Sequence, residues 1–156
     1  MSEQLATMRA GGRVAVVTAL EAEIGVLMRR ARRVIGERAR QVHEDIPGIA
    51  YLMLGFVRER GSVRATEIGF AFHVDKAGVS RHVQQMLELG LLAKRPDPDD
   101  GRATLLSVTA EAERRMAAVA GERRRRLDER LDDWSDETLN EFVDLLARYN
   151  ELLADD

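Results

Sequence analysis

The stretch Asp75–Thr109, DKAGVSRHVQQMLELGLLAKRPDPDDGRATLLSVT, constrains the fold of this chain more than any other. It opens with a segment whose apolar residues Val79, Val83, Met86 and Leu87 recur at three- and four-residue steps, the spacing of one face of an α-helix. Asp75 stands where a carboxylate accepts from the free N–H groups of a first helical turn, and Gly90 where a left-handed residue ends the last one. Two runs, Leu91–Arg95 and Ala103–Val108, then flank Pro96, Asp97, Pro98, Asp99, Asp100 and Gly101. Such a turn-rich loop predicts that the two runs pair as a β-hairpin.

Upstream, a helix is expected over about Ala65–Phe72, parted from a helix over Lys76–Leu89 by only His73, Val74 and Asp75. Helix, tight turn, helix and then a hairpin is the order of a winged helix-turn-helix. On the second helix Val79, Val83, Met86 and Leu87 are expected to pack, while Ala77, Gly78, Arg81, Gln84, Gln85 and Glu88 project outward, with Lys76 and Ser80 flanking them near the N-terminus. An α-helix fits the major groove of DNA, about 12 Å wide, where Arg pairs bidentately with guanine and Gln with adenine. On a lone helix these side chains would most often be a plain solvated face. The adjoining hairpin shifts the balance, because Lys94, Arg95 and Arg102 give it cations, Asp100 steadies it by pairing, and Arg102 is placed to enter a minor groove. The partner these features imply is double-stranded DNA.

The flanking sequence reads as long helices. From Thr18 to Val42 the residues Leu20, Ile24, Leu27, Ala31, Val34 and Ile35 fall on one stripe, and a second helix is expected from about Pro47 to Arg58. Thr109 heads a helix with Glu111 and Glu113 in its first turn, and Ser135 heads a last one whose Leu139, Phe142, Leu146, Tyr149 and Leu153 repeat at three and four. A winged helix alone leaves these terminal stripes without partners, so Leu20, Ile24 and the five residues of the last helix are assigned to a homodimer interface. The expected fold is mainly α with a small β-hairpin wing. Its parts are an N-terminal dimerisation region at 1–45, the winged unit at 46–109 and C-terminal dimerisation helices at 110–156, in one compact structure.

Charge requires division along the chain. The whole carries −3, but residues 132–156 hold nine acids and one base, leaving 23 bases against 18 acids before them. Phosphate contact depends on a local basic surface, so the overall sign does not argue against DNA. With no cysteine, disulfides, thiolate metal sites and thiol redox chemistry are excluded, and a reducing cytoplasm fits. Neither a signal peptide nor a membrane span is written near the N-terminus, and a cytoplasmic protein is expected. His43, His73 and His82 lack metal-ligand spacing, and no phosphate loop or nucleophile, base and orienter set is present, so neither metal, cofactor nor enzymatic activity is expected. The Arg123–Arg126 run lies among Glu122, Asp128 and Glu129 and reads as a salt-bridged face in preference to a second phosphate patch.

The run VDKAGVSRHVQQMLELGLLAKRPDPDDGRATLLSVT resembles the core of the MarR family of bacterial transcription regulators. The likeness is specific over about residues 62–110 and looser in helix order beyond them, with Asp100, Arg102, Leu106 and Thr109 matching the family's Asp-x-Arg wing signature and closing strand. It implies a homodimer on a roughly palindromic operator, usually a repressor and often released by a small aromatic or anionic effector, with Tyr51 near the effector pocket. Ala77 and Gly78 stand where the family often has Ser or Thr, and Gly101 where it is often basic. Two other readings stay open: a winged-helix adaptor that pairs with protein, and an architectural DNA-binding protein without an effector.

Overall fold

The computed structural model of the protein describes residues 2–101 and 103–154. Its elements run α1 (Ser2–Val42), α2 (Gly48–Arg60), β1 (Val63–Arg64), α3 (Ala65–Phe72), α4 (Lys76–Glu88), β2 (Leu92–Pro96), β3 (Thr104–Val108), α5 (Ala110–Arg130) and α6 (Asp136–Ala154). Two compact units divide the chain, Met1–Met116 and Ala117–Asp156. Mainly helical structure with a small antiparallel sheet is what the sequence predicts.

In the first unit α2 is the central element. Its Ala50, Met53, Leu54 and Val57 are fully buried at the three- and four-residue steps of a helix face, and it packs against α1, α3, α4 and β3. Pro47 stands one residue ahead of the helix, its φ of −73° already near the helical value, and Gly61 at φ 76° ends it. The end of α1 lies on α2 through Ala39 and Val42, both buried. The same stripe of α1 continues toward its N-terminus with Leu20 and Leu27 44% and 51% exposed, so one apolar face is covered along only part of its length.

The sheet has three antiparallel strands in the order β1-β3-β2. β1 is two residues long and exists because Val63 and Arg64 pair with Leu106 and Leu105 of β3. β2 and β3 pair from Leu92↔Val108 to Pro96↔Thr104, forming the expected wing. Thr109 joins this hairpin to α5: its N–H donates to the Leu91 carbonyl at 3.1 Å, and its hydroxyl donates to the Gly90 carbonyl at 2.8 Å while accepting from the Ala112 N–H. Arg58 of α2 donates to both carboxylate oxygens of Glu113, and Arg115 donates to the Val42 carbonyl at 3.0 Å, so the start of α5 is tied to α2 and to the end of α1.

In the second unit, Ser135 caps α6 by accepting from the Thr138 N–H at 3.2 Å, and Trp134 meets Phe142 edge to face at 5.9 Å. Phe142, Leu146 and Leu153 of α6 are exposed and Leu139 and Tyr149 half-buried. Among the described residues, no helix is long and apolar enough to cross a membrane.

Candidate nucleic-acid interface

The turn between α3 and α4 is closed by local chemistry. His73 takes the left-handed conformation, φ 50° and ψ 40°, which a non-glycine residue occupies only at a specific turn. The Val74 N–H then donates to the Gly69 carbonyl at 3.1 Å. Asp75 caps α4 as its position predicts, with Oδ1 accepting from the Gly78 N–H at 2.7 Å. At the other end Gly90, φ 67°, turns the chain toward β2.

These constraints fix which way α4 faces. Val79, Val83 and Met86 are buried against the body, while Lys76, Ala77, Ser80, Arg81 and Gln84 are exposed on the opposite side. Arg81, Lys76 and Ser80 have no side-chain hydrogen-bond or ion-pair partner among the described residues, and the Gln84 amide donates to Glu88 one turn on at 2.8 Å. An outward Arg and Gln one turn apart have the spacing and donors that base edges require.

Two of the expected outward residues are placed differently. Gly78 is buried, not outward: a Cβ there would lie 2.7 Å from Val74 Cγ1 and 2.9 Å from Asp75 Oδ1, so its N–H serves the cap and its α-carbon faces the turn. Gln85 is half-buried, and its amide donates to the backbone carbonyl of Asp45 at 2.7 Å, tying α4 to the loop between α1 and α2. The helical period assigns a face only to within about a residue, and in both cases a tertiary neighbour decided it.

In the wing, Lys94 and Arg95 are exposed on β2 and Arg102 lies outside the described residues. Asp100 is half-buried with its carboxylate 3.9 Å from Arg64 Nη1. The residue that sequence reasoning missed is Asp97. Only 6% exposed, it accepts from the Asp99 N–H at 2.9 Å through Oδ1 and from the Arg64 Nε–H at 2.8 Å through Oδ2, which also lies 2.6 Å from Arg64 Nη2. The Asp99 N–H and then the Arg64 guanidinium hold its carboxyl below the usual carboxylate range. Arg64 itself heads α3, its own N–H satisfied by Glu67 at 2.7 Å. A clue was present in the sequence only as an acid flanked by two prolines.

The remaining expected residues are placed as follows. Tyr51 is half-buried on α2. In the Arg123–Arg126 run, Arg125 and Arg126 pair with Glu122, and Arg125 also with Glu129, which is the salt-bridged helix face the sequence favours. His43 accepts from the Asp45 N–H at 3.2 Å, and no group of three or more metal-ligating side chains occurs among the described residues.

Comparison with known proteins agrees with this geometry. Residues 44–103, which span α2, the helix-turn-helix and most of the wing, match the sequence profile described as MarR family. Over that segment the chain is similar to the MarR family. Among curated relatives, the chain is 27% identical to YxaD of Bacillus subtilis (strain 168), described as an uncharacterized HTH-type transcriptional regulator, over 89% of this chain and 96% of that one. YdgJ of the same organism, described in the same way, is 28% identical over 82% of this chain and 77% of its own length. In structure, the chain superposes with TM-score 0.68 on a putative MarR family transcriptional regulator from Listeria monocytogenes, solved with a 26-mer DNA, at 18% identity over 86% and 88% of the two chains. The fold is that of the solved MarR-family structures.

Proposed function

We propose that this chain is a transcription regulator of the MarR type, a homodimer that presents two copies of α4 to successive major grooves of a palindromic operator. The observation that carries the reading is the division of α4 into a buried side, Val79, Val83 and Met86, and an exposed side bearing Lys76, Ala77, Ser80, Arg81 and Gln84. Arg81 and Gln84 take the base edges, Ala77 offers a methyl contact to thymine, and Lys76 and Ser80 meet phosphate at the helix start. Lys94, Arg95 and Arg102 of the wing take the neighbouring backbone and minor groove. Gln85 and Gly78 support the helix from behind, and Asp100 helps to hold the wing. The 26-mer DNA in the Listeria structure supports duplex DNA as the partner.

The dimer forms through stripes that are exposed or half-buried, Leu20 and Ile24 on α1 and Leu139, Phe142, Leu146, Tyr149 and Leu153 on α6. An apolar stripe left exposed along a helix marks an interaction surface. Functionally the chain then divides at 1–45, 46–109 and 110–156, with the outer parts holding the reading unit. Repression follows when the bound dimer blocks a promoter, and a small aromatic or anionic effector near Tyr51 releases it by binding the non-reading arrangement more tightly.

Mobility shift of the full chain on duplex DNA at rising salt tests the reading. A MarR-type reader loses affinity linearly in log salt and retains a preference for one selected sequence. No shift on any duplex at low salt would favour the adaptor reading, and binding without sequence preference the architectural one.

A further inference from the structure

We infer that Arg64 and Asp97 form a strap that sets the direction of the wing, which makes both positioning residues for the wing's contact with DNA. The inference rests on the proposed reading of DNA by the wing and adds the part that aims it.

β1 ends at Arg64, opposite Leu105 of β3. Beyond that point the hairpin runs on without a third strand: Pro96 pairs with Thr104, the Asp97 N–H donates to the Ala103 carbonyl at 3.0 Å, and the Ala103 N–H donates to the Asp100 carbonyl at 2.8 Å. A two-stranded ribbon of this kind is weakly fixed by its backbone alone. Arg64 is the last residue of the body beneath it. Its guanidinium reaches from the head of α3 to Asp97 at the base of the loop and faces Asp100 as well.

Asp97 serves two ends at once. One oxygen accepts from the Asp99 N–H and orders the loop; the other accepts from the Arg64 Nε–H, pairs with the same guanidinium through Nη2 at 2.6 Å, and docks that loop to the body. A planar guanidinium meeting a nearly buried carboxylate fixes direction as well as distance, which a lysine ammonium would not. The other end of the strap is equally fixed, because Arg64 is the residue before α3 and its N–H is held by Glu67. The wing is thereby referenced to the first helix of the reading motif, which packs directly on α4. A free wing would present its cations over a range of directions, and ordering them on DNA would cost affinity.

Hydrogen exchange and DNA affinity, measured on the full chain with a 30-base-pair duplex of random sequence at low salt, test the inference. Arg64→Gln is expected to speed amide exchange over residues 97–103 roughly tenfold while leaving α4 unchanged. It should weaken DNA binding, and the loss should not add to that of Arg102→Ala, since a misdirected wing has no contact left to lose. Asp97→Asn keeps the Asx hydrogen bond to Asp99 and provides the same test should Arg64→Gln unfold; Arg64→Lys should recover only part of the affinity. Unchanged exchange over 97–103 in both variants would overturn the strap, as would losses that simply add. If Arg102→Ala itself leaves affinity intact while the loop loosens in Arg64→Gln, the wing does not read DNA, and the positioning role falls with that reading.

Discussion

The side-chain amide of Gln85 donates to the backbone carbonyl of Asp45 over 2.7 Å, so the second of two adjacent glutamines on α4 braces the helix while the first faces outward. This divides labour between neighbours that the sequence presents as equivalent. Replacing Gln85 by Ala should lower stability by about 0.5–1.5 kcal/mol, the usual net worth of one hydrogen bond, and slow no particular sequence choice. Gln84→Ala should leave the denaturation midpoint within about 0.5 kcal/mol and relax preference at one base pair by roughly 1–3 kcal/mol. Urea denaturation beside competition binding distinguishes the two; equal behaviour of both variants would remove the distinction.

Gly78 offers a second test of the same helix. With Val74 Cγ1 and Asp75 Oδ1 at 2.7 and 2.9 Å from a Cβ there, Gly78→Ala must displace either the turn or the cap. Overpacking of this kind costs about 1–3 kcal/mol, against the gain in helix propensity of up to about 1 kcal/mol that Ala brings elsewhere. A net fall in thermal midpoint is expected, and a rise would show that the turn yields freely.

Much of this architecture is legible in the residues. The Asp75 cap, the left-handed Gly90, the Thr109 and Ser135 helix starts and the wing strands all follow from side chains that act on their own neighbours. What escaped depends on distant partners. The two-residue strand Val63–Arg64 has no pattern of its own and is made by β3, and Asp97 looks like any loop acid until Arg64, far back in the chain, is seen to fold onto it. Helix α1 runs to Ser2, well ahead of the Thr18 at which its apolar stripe begins. Gly78 and Gln85 were turned inward by tertiary contacts that helix periodicity does not encode.

The pH behaviour of the wing follows from Asp97. Its folded carboxyl is depressed below the ordinary value of 3.8 by the Asp99 N–H and by Arg64, which also faces Asp100. A depressed acid contributes stability that is present above its unfolded value and is lost as pH falls through the folded one. Exchange over 97–103, corrected for intrinsic rate, should therefore stay flat from pH 7 to 5 and rise only below about pH 4. Loosening already at pH 6 would contradict the assignment to this carboxylate.

The uncovered stripes predict a dimer that a single charge disrupts. Leu146→Asp removes an apolar side chain twice across a twofold interface, roughly 1.5–3 kcal/mol each time, so dissociation should strengthen by about two to four orders of magnitude. Sedimentation equilibrium reads this directly. A variant that sediments as the parent does would place the interface elsewhere.

The wing cations should appear in the salt dependence. If Lys94 and Arg95 each neutralise one phosphate, Lys94→Ala and Arg95→Ala should each reduce the slope of log affinity against log salt by about 0.9 per half-site. An unchanged slope would take the exposed edge of β2 out of the interface.

We propose that the outward side of α4, in two clamped copies, reads bases. This is tested most directly by selecting duplexes from a random library with the full chain and then measuring Arg81→Ala against every single-base change in the selected site. The expected result is an inverted repeat with half-site centres about one helical turn, roughly 34 Å, apart, and loss of discrimination by Arg81→Ala at one base pair per half-site. Affinity that falls by the same factor on every duplex, selected or random, would contradict it.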